Sequence, residues 1–112
     1  MKIESYKFGE MIVDGIKYRK DLIIFPDYVM DNWWRKSGHN LIKEDIREII
    51  HAKPEYLFIG TGKFGLVKVS KEIISYLESL GITVFIGKTD DAVKAFNNET
   101  NSNKISAFHL TC

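Results

Sequence analysis

The run Gly60-Thr61-Gly62-Lys63-Phe64-Gly65 has the G-x-G-x-x-G spacing with which loop amides and a helix N-terminus receive the pyrophosphate of a dinucleotide. That chemistry requires the glycines to lead straight from a strand into a helix, with an acid about 20 residues later to hold the ribose. Here Leu66-Val67-Lys68-Val69 separate the last glycine from Ser70, the first good helix cap, and the next strand ends in Gly87-Lys88 instead of Asp or Glu. NAD and ATP are therefore not expected, and no cofactor is assigned. Two uses of the loop remain. The glycines can let the chain turn close to a neighbouring element, as a missing Cβ permits. Alternatively, Gly60, Gly62 and Gly65 can turn amides inward as a nest for a small anion or ligand, with charge from Lys63. Gly87-Lys88-Thr89 has the look of a phosphate-loop ending, but an apolar strand, residues 82–86, precedes it in place of glycines.

His39, His109 and Cys112 are the residues from which a thiolate–imidazole pair or a soft metal site could be built. His109 and Cys112 are three apart, so a regular strand would point them to opposite faces, and no fourth ligand is marked. Packing of the last strand is the expected use, and neither a metal nor a catalytic residue is assigned. His51 falls at a helix end, where it serves structure. Trp33 and Trp34, with Tyr28 nearby, could offer an aromatic platform, and Arg35, Lys36, Asp27 and Asp31 could supply its polar surround. Core or loop packing is the first expectation, and a protein interface using Trp33, Trp34, Arg35 and His39 the second. Asp90-Asp91 sit where a helix dipole favours acids, which explains them without hydrolysis.

The chain of 112 residues is long enough for one hydrophobic core and too short for two ordinary domains. Sixteen basic and fifteen acidic residues give a formal charge of +1 with no long block of either sign, so no nucleic-acid partner is expected. No stretch approaches the roughly 20 apolar residues that span a bilayer, and Met1-Lys2 is followed by no apolar signal core. A cytoplasmic protein with no membrane partner is expected. The single cysteine, Cys112, fits a reducing compartment.

Positioning these residues requires a scaffold. Residues 6–8, 11–13, 17–18 and 22–25 read as short strands of an antiparallel meander, with Asp14-Gly15 as a hairpin turn. Pro26-Asp27 breaks the run, and residues 28–40 read as an irregular packed connection. Ile42, Ile46, Ile49 and Ile50 mark one helix face, stopped by Pro54. A buried strand at 56–59 follows. Ser70 caps a second helix with Ile73, Ile74, Leu77 and Leu80 inward and Gly81 at its end. A strand at 82–86, a helix capped by Thr89 carrying Ala92, Val93 and Phe96 inward, a polar turn and a strand at 105–110 complete the pattern. The fold class is α/β, a single domain in which an N-terminal antiparallel meander precedes βαβαβ. Right-handed crossovers then place the three later strands parallel in a parallel or mixed sheet. The 60–65 and 87–89 loops follow the carboxyl ends of adjacent strands, where open α/β sheets hold ligands.

Trp34-Arg35-Lys36-Ser37-Gly38-His39, Phe58-Ile59-Gly60-Thr61-Gly62, the stretch from Thr89-Asp90-Asp91-Ala92 to Phe96-Asn97, and His109-Leu110-Thr111-Cys112 occur in the order of a known small family. The chain resembles the α/β family that includes a mitochondrial respiratory complex I assembly factor and the adipogenesis-associated domain protein. The resemblance implies a compact domain with a meander beside a mixed or parallel sheet. It points to Trp34, His39, Gly60, Gly62, Thr89, Asn97, His109 and Cys112, and carries no catalytic mechanism. Lys88 replaces a frequent methionine, and residues 101–104 replace a segment that commonly bears glutamate and arginine. The expected function is non-catalytic assembly or accessory work through a protein partner or self-association. The alternative is a small-molecule or anion-binding domain, or an enzyme, using Gly60, Gly62, Lys63, Gly65, Lys88 and Thr89.

Overall fold

Alternation of apolar residues on both sides of one sheet organises the molecule, whose computed structural model describes residues 1–112. The strands are β1 (Ile3–Lys7), β2 (Glu10–Val13), β3 (Ile16–Tyr18), β4 (Leu22–Ile24), β5 (Val29–Asp31), β6 (Tyr56–Gly60), β7 (Thr83–Gly87) and β8 (Lys104–Phe108). The helices are α1 (Arg47–Ala52), α2 (Lys71–Ser79) and α3 (Thr89–Asn98), with a 3₁₀ turn at Lys43–Ile46 leading into α1. The first three strands form an antiparallel meander, and the other five form a mixed sheet in the order β5-β4-β8-β6-β7. Its centre is parallel: β6 pairs with both β7 and β8, as the alternating elements require.

Leu57, Ile59, Ile23, Ile105 and Ala107 face one side, where Ile46, Ile49, Ile73 and Leu77 of the 3₁₀ turn, α1 and α2 cover them. Phe58, Leu22, Ile24 and Phe108 face the other, where they meet Ala92 and Phe96 of α3 and Ile3, Met11 and Val13 of the meander. The sheet thus separates two cores, consistent with a period of two along each strand.

Local chemistry sets the helix ends. The Ser70 hydroxyl accepts from the Ile73 amide at 3.2 Å, and Gly81 follows α2 at φ +82°, the conformation in which a C′ glycine ends a helix. Pro54 disfavours a helical conformation at Lys53, and α1 stops there. The Asn97 side chain accepts from the Ile3 amide and donates to the Ile3 carbonyl, fastening β1 to α3.

Four expectations are corrected. Leu22–Ile24 leaves the meander and pairs antiparallel with β8, because two-sided burial suits a central strand of the larger sheet. The connection at 28–40 contains β5, held by pairing with β4. Leu80 lies at the helix end and is exposed, since the chain has already left the inward stripe. Thr89 does not cap α3: Lys88 holds the cap position without a side-chain bond, and the Thr89 hydroxyl is used elsewhere.

Candidate functional site

The carboxyl ends of β6, β7 and β8 converge on the buried Thr89 hydroxyl. It accepts from the Gly62 amide at 2.9 Å and donates to the His109 carbonyl at 2.7 Å, joining the loop after β6, the start of α3 and the segment after β8. Gly60 and Gly62 allow this closeness. A Cβ on Gly60 would stand 2.6 Å from the Phe108 ring and 2.8 Å from Thr89 Oγ1, and one on Gly62 would stand 2.4 Å from the Cys112 carbonyl carbon. Gly62 also adopts φ +111°, a region that side-chain-bearing residues rarely enter.

The loop amides have protein acceptors. Thr61 N donates to Gly87 O, Lys63 N to Thr111 O at 2.7 Å, Gly65 N to Gly62 O, Leu66 N to Cys112 O at 3.1 Å and Val67 N to Thr61 O. Residues 111 and 112 therefore lie across the crevice and occupy amides that an anion nest would use. The Lys63 ammonium pairs with Asp90 at 2.9 Å, while the Lys88 stem packs against Gly65. Fold and chain path here explain the glycines; Gly60, Gly62, Lys63, Gly65, Lys88 and Thr89 do come together at one place. The late start of α2 at Lys71 keeps its N-terminus off the glycine run, as the spacing to Ser70 predicted.

Beside this crevice lies a buried polar cluster. Asp21 Oδ2 accepts from Arg35 Nη1 at 2.9 Å and lies 2.7 Å from His109 Nδ1, while Asp21 Oδ1 accepts from the Leu110 amide at 2.8 Å. Arg35 Nη2 is also 3.0 Å from His109 Nδ1. One ring nitrogen cannot both accept from Arg35 and donate to Asp21, so the arrangement consistent with the shorter contact has Nδ1–H donate to Asp21, with Nε2 3.4 Å from Thr111 Oγ1. Burial alone would raise the Asp21 pKa, but the hydrogen bonds from His109, the Leu110 amide and Arg35, together with the electrostatic influence of the His109 ring, hold it below the usual aspartate value. Tyr6 closes the cluster from β1. Its hydroxyl donates to Leu110 O at 2.9 Å, and burial, reinforced by the Asp90 and Asp21 charges, pushes its pKa up to about 12 against the opposing influence of the nearby Thr89 hydroxyl.

Residues marked in the sequence divide sharply here. Trp33 is buried and donates from its indole to Asp45 O at 2.8 Å, and the Arg35 side chain, only 5% exposed, stacks over the Trp33 ring at 4.7 Å. Those two belong to the interior; Trp34 is 74% exposed and His39 is exposed as well. His39 and His109 meet edge to face, 6.3 Å between centroids, and Cys112 is half-buried at the loop. His109 and Cys112 lie beyond the end of β8, so strand alternation does not govern them. No group of three His, Cys, Asp or Glu side chains could hold a metal, and no helix is long and apolar enough to cross a membrane. Asp21 carried no signal in the sequence: it is a lone acid before a strand, and its partners come from distant segments.

A meander packed beside α3 on one face of a mixed sheet, with an Asp–Arg–His cluster beside the loops that follow the parallel strands, defines a small single-domain α/β protein of one recurrent architecture. The family model described as a protein of unknown function (DUF498/DUF598) matches residues 3–109, and the chain belongs to that family. Solved structures share the fold. A conserved hypothetical protein from Pyrococcus horikoshii is similar at 23% identity and TM-score 0.82 over 100% of both chains. The protein MT938 is similar at 24% identity and TM-score 0.78, with 99% of this chain and 98% of that one covered. A Mth938-like domain from Bordetella pertussis is similar at 16% identity and TM-score 0.68 over 97% of this chain and 85% of that one.

Proposed function

We propose that this protein is a non-catalytic, cytoplasmic accessory protein that works by docking onto another protein through aromatic residues around the closed crevice. The observation that carries the reading is Trp34, 74% exposed on a segment whose neighbours Trp33 and Arg35 are locked in the interior. A large amphipathic ring held by a rigid base suits an interface anchor, because little ordering is left to complete on binding. The exposed Phe8 and Phe64, with ring centroids 6.3 Å apart, add apolar surface on the glycine loop side. Resemblance to relatives that include a mitochondrial respiratory complex I assembly factor and the adipogenesis-associated domain protein supports an assembly role; the respiratory complex itself is not carried over.

Quantitative crosslinking and affinity purification from the native host test this reading, with wild type compared against Trp34→Ala and Phe64→Ser variants that keep the wild-type melting transition. Partners should weaken by roughly tenfold, the equivalent of about 1.4 kcal/mol. Unchanged partners in both variants would sink it.

A second reading, capture of a small anion at Gly60, Gly62, Lys63, Gly65, Lys88 and Thr89, draws support from Lys88, which packs on the glycine loop without a carboxylate partner. Calorimetry with phosphate on wild type and Lys88→Ala tests it. No heat of binding would remove this reading and leave the first intact.

A further inference from the structure

Four strands carry an open edge: β5 and β7 in the main sheet, β1 and β3 in the meander. Three of them are guarded. β5 and β3 run for three residues and carry Asp31 and Lys17, while β1 carries Glu4 and Lys7 and slips register between Ile3 and Ser5. Shortness, charge and irregularity are the usual means of keeping an edge from pairing with another chain. β7 has none of them. Thr83-Val84-Phe85-Ile86-Gly87 is five residues long, uncharged and in unbroken register with β6.

The Thr83 amide donates to Glu55 O and the Gly87 carbonyl accepts from Thr61, so Thr83, Phe85 and Gly87 turn their backbone groups toward β6. By alternation, the N–H and C=O groups of Val84 and Ile86 point away from the sheet. We infer that β7 pairs antiparallel with β7 of a second copy of this chain, about a two-fold axis at Phe85.

The register follows from which groups are free. Val84 of one copy faces Ile86 of the other and the two exchange both backbone hydrogen bonds, once on each side of the axis. Phe85 faces Phe85 in the non-hydrogen-bonded position, where side chains approach most closely. Thr83 faces Gly87, so no charge meets a like charge anywhere along the pair. The side chains agree with this register. Phe85 is 37% exposed and already leans on Phe58, 6.2 Å between centroids, beside an open groove lined by Tyr56, Phe58, Ala95 and Glu99. An axis normal to the sheet keeps each face on its own side, so the second Phe85 enters this groove, and α2 and α3 are brought beside their counterparts. A charged strand from an unrelated protein would find no countercharge on this edge. The surface uses neither Trp34 nor Phe64, and the inference stands or falls apart from the docking reading.

Sedimentation and native mass spectrometry of the full chain at micromolar concentration test it, together with amide hydrogen exchange. The expected mass is that of a dimer, with the Val84 and Ile86 amides protected. Thr83→Lys and, separately, Phe85→Lys should return a monomer and expose those two amides, while the backbone amide at position 85, bonded to β6, stays protected in both variants as proof of an intact fold. Thr83 is exposed, which makes its replacement the safer variant. A wild-type monomer, a dimer indifferent to Thr83→Lys in a folded protein, or rapid exchange at Val84 and Ile86 would overturn the inference.

Discussion

Asp21 and His109 are 88 positions apart in sequence and 2.7 Å apart in the folded chain. Through this contact, the residue before β4 holds the segment that leaves β8, and Arg35 neutralises the carboxylate from a third direction. One carboxylate thereby fixes three stretches of chain around the closed crevice.

Removing that carboxylate should leave Arg35 and His109 without their shared acceptor in a buried site. Asp21→Ala is expected to cost roughly 3 kcal/mol in chemical denaturation at neutral pH, at the low end of the range for a broken buried pair because Asp21 retains some exposure. The pH dependence has a definite sign. A depressed aspartate pKa contributes stability that is complete above the ordinary value of 3.8 and is lost as pH falls through the lower folded-state value. Asp21→Asn should therefore flatten the acid limb of the melting-temperature profile; an unchanged limb would contradict the assignment.

Tyr6 behaves oppositely along the pH scale. Its pKa rises from 10.0 to about 12 on folding, so its contribution is complete below pH 10.0 and is lost as pH climbs through about 12. In an absorbance titration of the five tyrosines, one should ionise late, and Tyr6→Phe should remove that late step.

Gly62 and Gly81 both have positive φ, yet they differ in surroundings. Gly62→Ala meets Cys112 and His109 as well as backbone strain, and should cost about 2–4 kcal/mol from the two effects together. Gly81→Ala meets nothing within 4 Å and should cost only about 1 kcal/mol. Equal losses in paired denaturation curves would show that crowding by the 109–112 segment is unimportant.

Ser106 is fully buried on β8, and its hydroxyl has no hydrogen-bond partner. Ser106→Ala removes a desolvated polar group while leaving the strand intact, so stability should hold or rise by about 1 kcal/mol. A loss above that size would reveal a contact that the hydroxyl does make.

The three parallel strands were legible because each is a short apolar run followed or preceded by a periodic helix, a pattern that few topologies satisfy. Leu22–Ile24 was visible as a strand but not as a member of that sheet, since local composition does not say which edge a strand joins. Val29–Asp31 was missed because three residues beside a proline and two tryptophans carry no alternation; pairing with β4 makes them a strand. The glycine loop and its neighbours Lys88 and Thr89 were found together from their place after β6 and β7. The Asp21 contribution was hidden, because a lone acid acquires meaning only from Arg35 and His109. Trp33 and Trp34 show the same limit within one dipeptide: adjacent identical residues, one closing the core and one facing solvent.

Pairing of β4 with β8 also has a consequence for biosynthesis. Leu22, Ile23 and Ile24 are synthesised well before Lys104–Phe108, the strand that covers their edge. Between those two points the nascent chain carries an apolar strand with its central neighbour missing, together with a half-built core on each side. Folding of the main sheet is accordingly expected to wait until Phe108 has been made, so an unfinished chain exposes an apolar strand edge and unfilled core surface together.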